Sequence, residues 1–244
     1  MATWFVSDLH LDANTPAIVQ LFVDFLASIA DDAEALYILG DFFEYWVGDD
    51  ALNTPSTAVF QPVIDALQRL NESGVALYFL HGNRDFLVSE GFAQATGCRL
   101  LPEYCVIDLY GTPTLLLHGD TLCTDDVDYQ KVRQLFRNPQ WQAQFLALPL
   151  AERIRQAEAM REQSRQAMQH KQTEILDVNP QFVVETLQTY GVIRMIHGHT
   201  HRPAIHDSRI HNDSRIAQRV VLGDWHDDKI SYLRVDSSSM VLES

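Results

Sequence analysis

Trp4-Phe5-Val6-Ser7-Asp8-Leu9-His10 is a short apolar run that stops on a carboxylate and an imidazole. Trp4 to Val6 read as a buried strand, and Asp8 and His10, two residues apart, project to one side just past its carboxyl end. Such a pair can grip one divalent ion. Four more apolar runs end in the same manner, in Gly40-Asp41, Gly82-Asn83-Arg84-Asp85, His118-Gly119-Asp120 and Gly198-His199-Thr200-His201. In α/β proteins ligand sites gather outside the carboxyl ends of strands, so the repetition points to one site built from five strand-end loops.

The bulk properties bound the possibilities. With 244 residues, 46% of them hydrophobic, the chain suits one domain over 1–244 with insertions. A formal net charge of -15 would repel a phosphate backbone, so no nucleic-acid partner is expected. Cys98, Cys105 and Cys123 lack the spacing of a zinc knuckle or redox pair, which favours a reducing compartment, the cytoplasm by default. The first residues have no basic stretch before an apolar run, and nowhere are about 18 apolar residues consecutive, so neither a signal peptide nor a membrane span is expected.

Along the chain, Thr15-Pro16 starts a helix with Ile18, Leu21, Phe22, Phe25, Leu26 and Ile29 on one face. Ala35 to Leu39 and Val75 to Leu80 read as the next strands, with a helix from about Ser56 to Asn71 between them. Cys105 to Leu109 and Thr114 to Leu117 flank Tyr110-Gly111-Thr112-Pro113 as a hairpin, and Val192 to Ile196 is a further strand. Gln218 to Leu222 and Lys229 to Val235 read as strands of a second, more antiparallel sheet.

Residues 126–172 differ in character: long helical patterns, no glycine, and a charge of about +3 where the remainder carries about -18. With Trp141, Phe145, Leu146, Leu148 and Leu150 they have more apolar area than a solvated face needs. The segment reads as a helical lid over the site, able to rest on an anionic membrane surface and dispensable for the metal centre itself.

Carboxylate, imidazole and amide oxygen suit Mn²⁺, Fe²⁺ or Zn²⁺. Asp8, His10, Asp41, Asn83, His118, His199 and His201 are too many ligands for one ion, and they divide into two sites of about four if Asp41 bridges both. Such a pair activates water for hydrolysis of a phosphoester or phosphoanhydride.

Taken together, the five motifs resemble those of the calcineurin-like metallophosphoesterases. The resemblance implies a four-layer αββα fold in which two sheets pack together with helices outside. At Arg84 many members carry a histidine, and the guanidinium here is expected to bind a phosphate oxygen instead. Longer runs, among them Tyr37 to Trp46, Phe79 to Phe86, His118 to Asp126 and Ile196 to Pro203, are similar to the branch that hydrolyses a UDP-linked diacylated glucosamine in lipid A biosynthesis.

That closer resemblance implies two Mn²⁺ ions and attack of water at the α-phosphorus, giving UMP and the lipid-linked sugar 1-phosphate. Catalytic roles fall to Asp41, Asn83, Arg84, His118 and His199. Asn83, Arg84, Asp126, Ser164, Lys171 and His199 line the sugar phosphate, with Met168 where a related enzyme has an asparagine. It also implies a peripheral place on the cytoplasmic face of the inner membrane and no obligate protein partner. The alternatives within reach of the same motifs are a phosphodiesterase for a nucleotide or other soluble ester and a non-catalytic scaffold.

Overall fold

A computed structural model describes residues 1–168, 177–209, 216–226 and 229–244, with the backbone alone for Met168, Ser208 and Arg209. β1 (Ala2–Val6) lies between β2 (Ala33–Ile38), to which it is parallel, and β10 (Tyr232–Val235), to which it is antiparallel. With β3 (Ala76–Phe79), β4 (Arg99–Leu100) and β11 (Met240–Glu243) they make a sheet of order β11-β10-β1-β2-β3-β4. A second sheet has the order β5-β6-β7-β9-β8, from β5 (Cys105–Leu109), β6 (Thr112–Leu116), β7 (Arg194–His197), β8 (Ala204–Arg209) and β9 (Ile216–Val221).

Side chains alternate across each strand and thereby sort into layers. Trp4 and Val6 face outward, with Leu36, Ile38, Leu77 and Phe79, onto α1 (Pro16–Ile29), α2 (Gln61–Glu72) and α3 (Glu90–Thr96). Phe5 points the other way, with Tyr37, Leu39 and Leu80, and meets Leu116, Ile196 and Val220 of the second sheet. On the far face Leu115, Leu117 and Met195 pack against Val183 and Leu187 of α7 (Pro180–Tyr190). This is the expected αββα sandwich.

Local chemistry sets the boundaries. Asn179 caps α7 by accepting from the Phe182 N–H at 3.0 Å, and Gly191, at φ 65°, ends it. α2 begins at Gln61, later than the periodicity suggests, because Pro62 suits a first helical turn and residues Ala58–Phe60 form a 3₁₀ turn before it. The hairpin turn is tighter than expected. Tyr110 and Gly111, both at positive φ, are its two central residues, so Thr112 and Pro113 belong to β6 opposite Leu109 and Asp108.

One assignment needs correction. The two carboxyl-terminal runs belong to different sheets: β9 is parallel to β7 in the second, whereas β10 returns to β1 in the first, with Trp4 opposite Arg234. Periodicity describes which face of a strand is buried and carries no information about its neighbour.

The segment after β6 folds into three helices, α4 (Val127–Phe136), α5 (Pro139–Leu146) and α6 (Leu150–Met168), and residues 169–172 lie outside the described chain. Asn138 breaks the run and caps α5, accepting from the Gln140 and Trp141 N–H groups at 2.8 and 3.2 Å. Phe145 is buried, and Trp141, Leu148, Leu150 and Ile154 pack against the outer core. α4 buries no side chain, and Val127, Val132, Leu135 and Leu146 are exposed. Among the described residues no helix is long and apolar enough to cross a membrane.

Candidate metal centre

Because β1, β2 and β3 run parallel, as do β6 and β7, the five ligand-bearing loops leave one edge of the sandwich. Hydrogen bonds lace them together. The Asp8 N–H donates to Gly40 O at 3.0 Å, His10 N–H to Asp41 O at 3.0 Å, and Gly198 N–H to His118 O at 2.8 Å. Asp8, His10, Asp41, His199 and His201 all have left-handed backbone, with φ between 49° and 69°. Away from glycine such a conformation costs about 1–3 kcal/mol and persists only where its surroundings enforce it. Two glycines are obligatory for close approach: a Cβ on Gly198 would lie 2.1 Å from Asp8 Oδ2, and one on Gly82 the same distance from Asp41 Oδ1.

The loops deliver two groups of side chains that could hold a metal ion, Asp8, His10 and His201 in one and Asp41, His118 and His199 in the other, the candidate ligand atoms of each within 4.8 Å of one another. In the first, His10 Nδ1 lies 3.1 Å from Glu44 and His201 Nδ1 3.1 Å from Asp224. Each carboxylate lies behind its ring, on the side away from Nε2, where it favours an Nδ1 proton and leaves Nε2 to meet a cation. The two Nε2 atoms are 3.3 Å apart, and Asp8 Oδ1, 3.4 Å from that of His201, is buried with no hydrogen-bond partner. Three such atoms facing one another fit a cation, whose place a proton on His201 takes when no ion is bound.

The second group follows the same logic. His118 Nδ1–H donates to the Leu39 carbonyl across the sheets at 2.9 Å, which leaves Nε2 facing Asn83 Oδ1 at 3.0 Å and Asp41 Oδ1 at 3.6 Å. Again acceptors converge. His199 is tied to the first group by its backbone N–H, which donates to Asp8 Oδ2 at 2.9 Å.

Protonation differs among the imidazoles, and at His118 burial is outweighed by Asp41, Asp8 and Asp120, which raise it above its ordinary value. Burial opposes a charge on His201, but the carboxylates of Asp224 and Asp8 outweigh it and raise the imidazole to about 10. Burial and the neighbouring His118 push His199 down to about 4. Asp8 is held far below the usual carboxylate range, the nearby imidazoles overcoming the cost of its burial.

Arg84 stands beside Asp41 of the second group. Its backbone N–H donates to Asp41 Oδ1 at 2.8 Å, and its Nε, 4.0 Å from Asp41 Oδ2, is buried without a hydrogen-bond partner. A buried guanidinium N–H with no acceptor costs several kcal/mol in order of magnitude unless a ligand supplies one.

The expected sugar contacts are more dispersed. Asp126 is buried and caps α4, accepting from the Tyr129 N–H at 3.1 Å. Ser164 is half-buried on α6, Met168 is the last described residue of that helix, and Lys171 lies outside the described residues.

Four carboxylates had no role in the sequence reading. Glu44 and Asp224 back the imidazoles. Asp85, fully buried and raised to about 6 by burial and by Asp41, accepts from the Phe42 and Gly82 N–H groups at 2.8 Å each. Asp120 accepts from Tyr129 Oη–H at 2.8 Å and Arg133 Nε–H at 2.7 Å. Asp224 was within reach, since Leu222-Gly223-Asp224 repeats the ending of the other ligand loops. Glu44 gave no such signal.

The model of the calcineurin-like phosphoesterases matches residues 1–203, and the chain belongs to that family. Its full length is similar to proteins named UDP-2,3-diacylglucosamine hydrolase. The Stenotrophomonas maltophilia K279a protein is 50% identical over 255 residues, covering 100% of this chain and 98% of that one. The Edwardsiella ictaluri protein is 50% identical over 242 residues, covering 99% and 91%. Among solved structures, an archaeal phosphodiesterase shares the fold with a TM-score of 0.50 at 12% identity, over 99% of each chain.

Proposed function

We propose that this chain hydrolyses the pyrophosphate of UDP-2,3-diacylglucosamine at the α-phosphorus, giving UMP and 2,3-diacylglucosamine 1-phosphate in lipid A biosynthesis. The observation that carries the reaction class is the pair of convergent acceptor groups with the unpartnered Arg84 Nε beside them. Full-length similarity to relatives of that name supports the substrate.

Asp8, His10 and His201 would hold one divalent ion and Asn83, His118 and His199 the other, and Asp41 would serve both. When bound, two such ions, Mn²⁺ in this reading, would lower the pKa of a water and place positive charge at the phosphoryl group. Glu44, Asp224 and the Leu39 carbonyl keep the imidazoles turned inward. Arg84 donates to a phosphoryl oxygen and stabilises the charge that grows there in the transition state. No proton need be given to the leaving group, because a sugar phosphate with a second pKa near 6 departs readily as a dianion. That accords with arginine, rather than an acid, at position 84.

Asp126, Ser164 and Lys171 take the sugar phosphate, with Asn83, Arg84 and His199. Met168 offers no amide, so any hydrogen bond to the sugar there comes from another residue. The insertion acts as a lid on a single domain. Val127, Val132, Leu135 and Leu146 give acyl chains an apolar surface, and each buried methylene contributes about 0.8 kcal/mol. The same face rests on the anionic cytoplasmic surface of the inner membrane.

The test is incubation of Mn²⁺-loaded protein with UDP-2,3-diacylglucosamine in ¹⁸O-water. UMP carrying the label is expected. Label in the sugar phosphate would move the attack to the other phosphorus; cleavage of soluble diesters alone would move the substrate, and no cleavage of either would leave a scaffold.

A further inference from the structure

Of the six arginines of the insertion, Arg153 is buried against Asp50 and the Val47 carbonyl, and the other five divide into two kinds. Arg155 and Arg165 pair with Glu152 and Glu162, three residues away on their own helix, as a solvated face does. Arg133, Arg137 and Arg161 instead reach off the insertion into loops that carry candidate ligands. Arg133 Nε–H donates to Asp120, two residues beyond His118, at 2.7 Å, and Arg137 Nη2–H donates to the carbonyl of Gly82, the neighbour of Asn83, at 2.9 Å. Arg161 Nε–H donates to Glu44 Oε1, and the other oxygen of that carboxylate lies 3.1 Å from His10 Nδ1.

The last chain of contacts joins a lid helix to a metal ligand through one side chain. Arg161 and Glu44 are mostly buried, with side-chain exposures of 29% and 18%. A cation serving only to close over a substrate needs no such link. Glu44 has two oxygens, one for each partner, so removing Arg161 frees the carboxylate to turn and leaves the His10 ring without a fixed backing. Carboxylates behind metal-bound imidazoles set ring orientation and basicity.

We infer that Arg161 is a positioning residue of the metal centre, acting through Glu44 to set how tightly the Asp8, His10 and His201 group binds its ion. The lid is thus part of the centre it covers and is not dispensable to it. This rests on the two-ion reading above, and the experiment separates the two ideas. Metal-free protein is titrated with Mn²⁺ alone, free ion being followed by electron paramagnetic resonance.

Two sites are expected in the parent. In Arg161→Ala one site weakens about 10- to 100-fold while the other holds, and Arg161→Lys recovers part of the loss. Arg155→Ala, on the same helix, leaves both unchanged. Glu44→Gln tests the link without altering α6 and carries the result if Arg161→Ala does not fold; it should weaken the same site, and adding Arg161→Ala to it should weaken that site no further. Two sites of unaltered affinity in Arg161→Ala, with only a raised KM for the lipid substrate, would overturn the inference and make Arg161 a substrate contact. Absence of Mn²⁺ binding in the parent would remove the two-ion reading, and this inference with it.

Discussion

The two halves of the centre hold their imidazoles by different means. His10 and His201 are backed by side-chain carboxylates, and their side chains are 20% and 37% exposed. His118, only 1% exposed, is backed by the carbonyl of Leu39, where the second strand leaves the sheet. A carboxylate makes an imidazole more basic but can be replaced by mutation, whereas a carbonyl in the sheet is fixed by the fold. The first half is therefore tunable, and the second is built into the sandwich.

Asp41 tests whether the halves are joined. Its Oδ1 accepts from the Arg84 N–H and lies 3.6 Å from His118 Nε2, which places it with the second half, while a bridging role would make it serve both. Asp41→Asn should lower turnover by roughly 10³-fold or more, beyond the loss in His10→Asn, since preorganised charge at the reacting centre is typically worth about 10²–10³ per group. Metal content of the two variants decides the point. Loss of one ion in Asp41→Asn, with turnover no worse than in His10→Asn, would confine it to one half.

Arg84→Ala should remove about 2.7–4 kcal/mol of transition-state stabilisation and leave both halves loaded, because guanidinium cannot ligate a cation. Steady-state kinetics with metal analysis on the same sample separates this from structural damage. Normal kinetics, or an emptied half, would show that the buried Nε serves the protein and not the phosphate.

Much of this was legible in the chain because strand-end loops compress the information: a buried run, then the candidate ligand, with a glycine beside it in four of the five loops. Asp8, His10, Asp41, Asn83, His118, His199 and His201 all end such runs, and all reach the one edge. The layers were legible from alternation at Trp4, Phe5 and Val6. What the sequence hid was partnership across distance. Nothing local says that β10 returns to β1, or that Arg161 finds Glu44 117 residues away. A composition of about +3 over residues 126–172 suggested cations free to meet a phosphate or a membrane, whereas Lys131, Arg133, Arg137, Arg153, Arg155, Arg161 and Arg165 all have partners within the chain.

A gentler probe of the comparison is Asp224→Asn. Asp224 lies 3.1 Å from both His201 Nδ1 and His226 Nε2, and the amide keeps its size while removing its charge. Metal affinity of the first half should fall about 10- to 100-fold, with the second within error of the parent. Equal weakening of both halves in a two-site titration would mean that they are electrostatically one unit.

The smallest expected effect is the pH dependence of the metal-free protein, to which His118, also raised, adds in the same sense as His201. His201 is raised to about 10 from an ordinary value of 6.5, so its proton favours the folded state. That contribution is fully present below pH 6.5 and is lost as pH rises through about 10. His199, lowered to about 4, has the opposite sign: its stabilising neutral form is present above 6.5 and is lost as pH falls through about 4. The melting temperature of metal-free protein should therefore decline between pH 7 and 10, and Asp224→Asn should flatten the decline because it removes a principal cause of the raised value. With Mn²⁺ bound, the ion takes the place of the proton and the alkaline slope should shrink. A metal-free protein whose melting temperature is level from pH 7 to 10 would show that no proton is held between Asp8 and His201, and the distinction between a tunable half and a fixed half would then rest on burial alone.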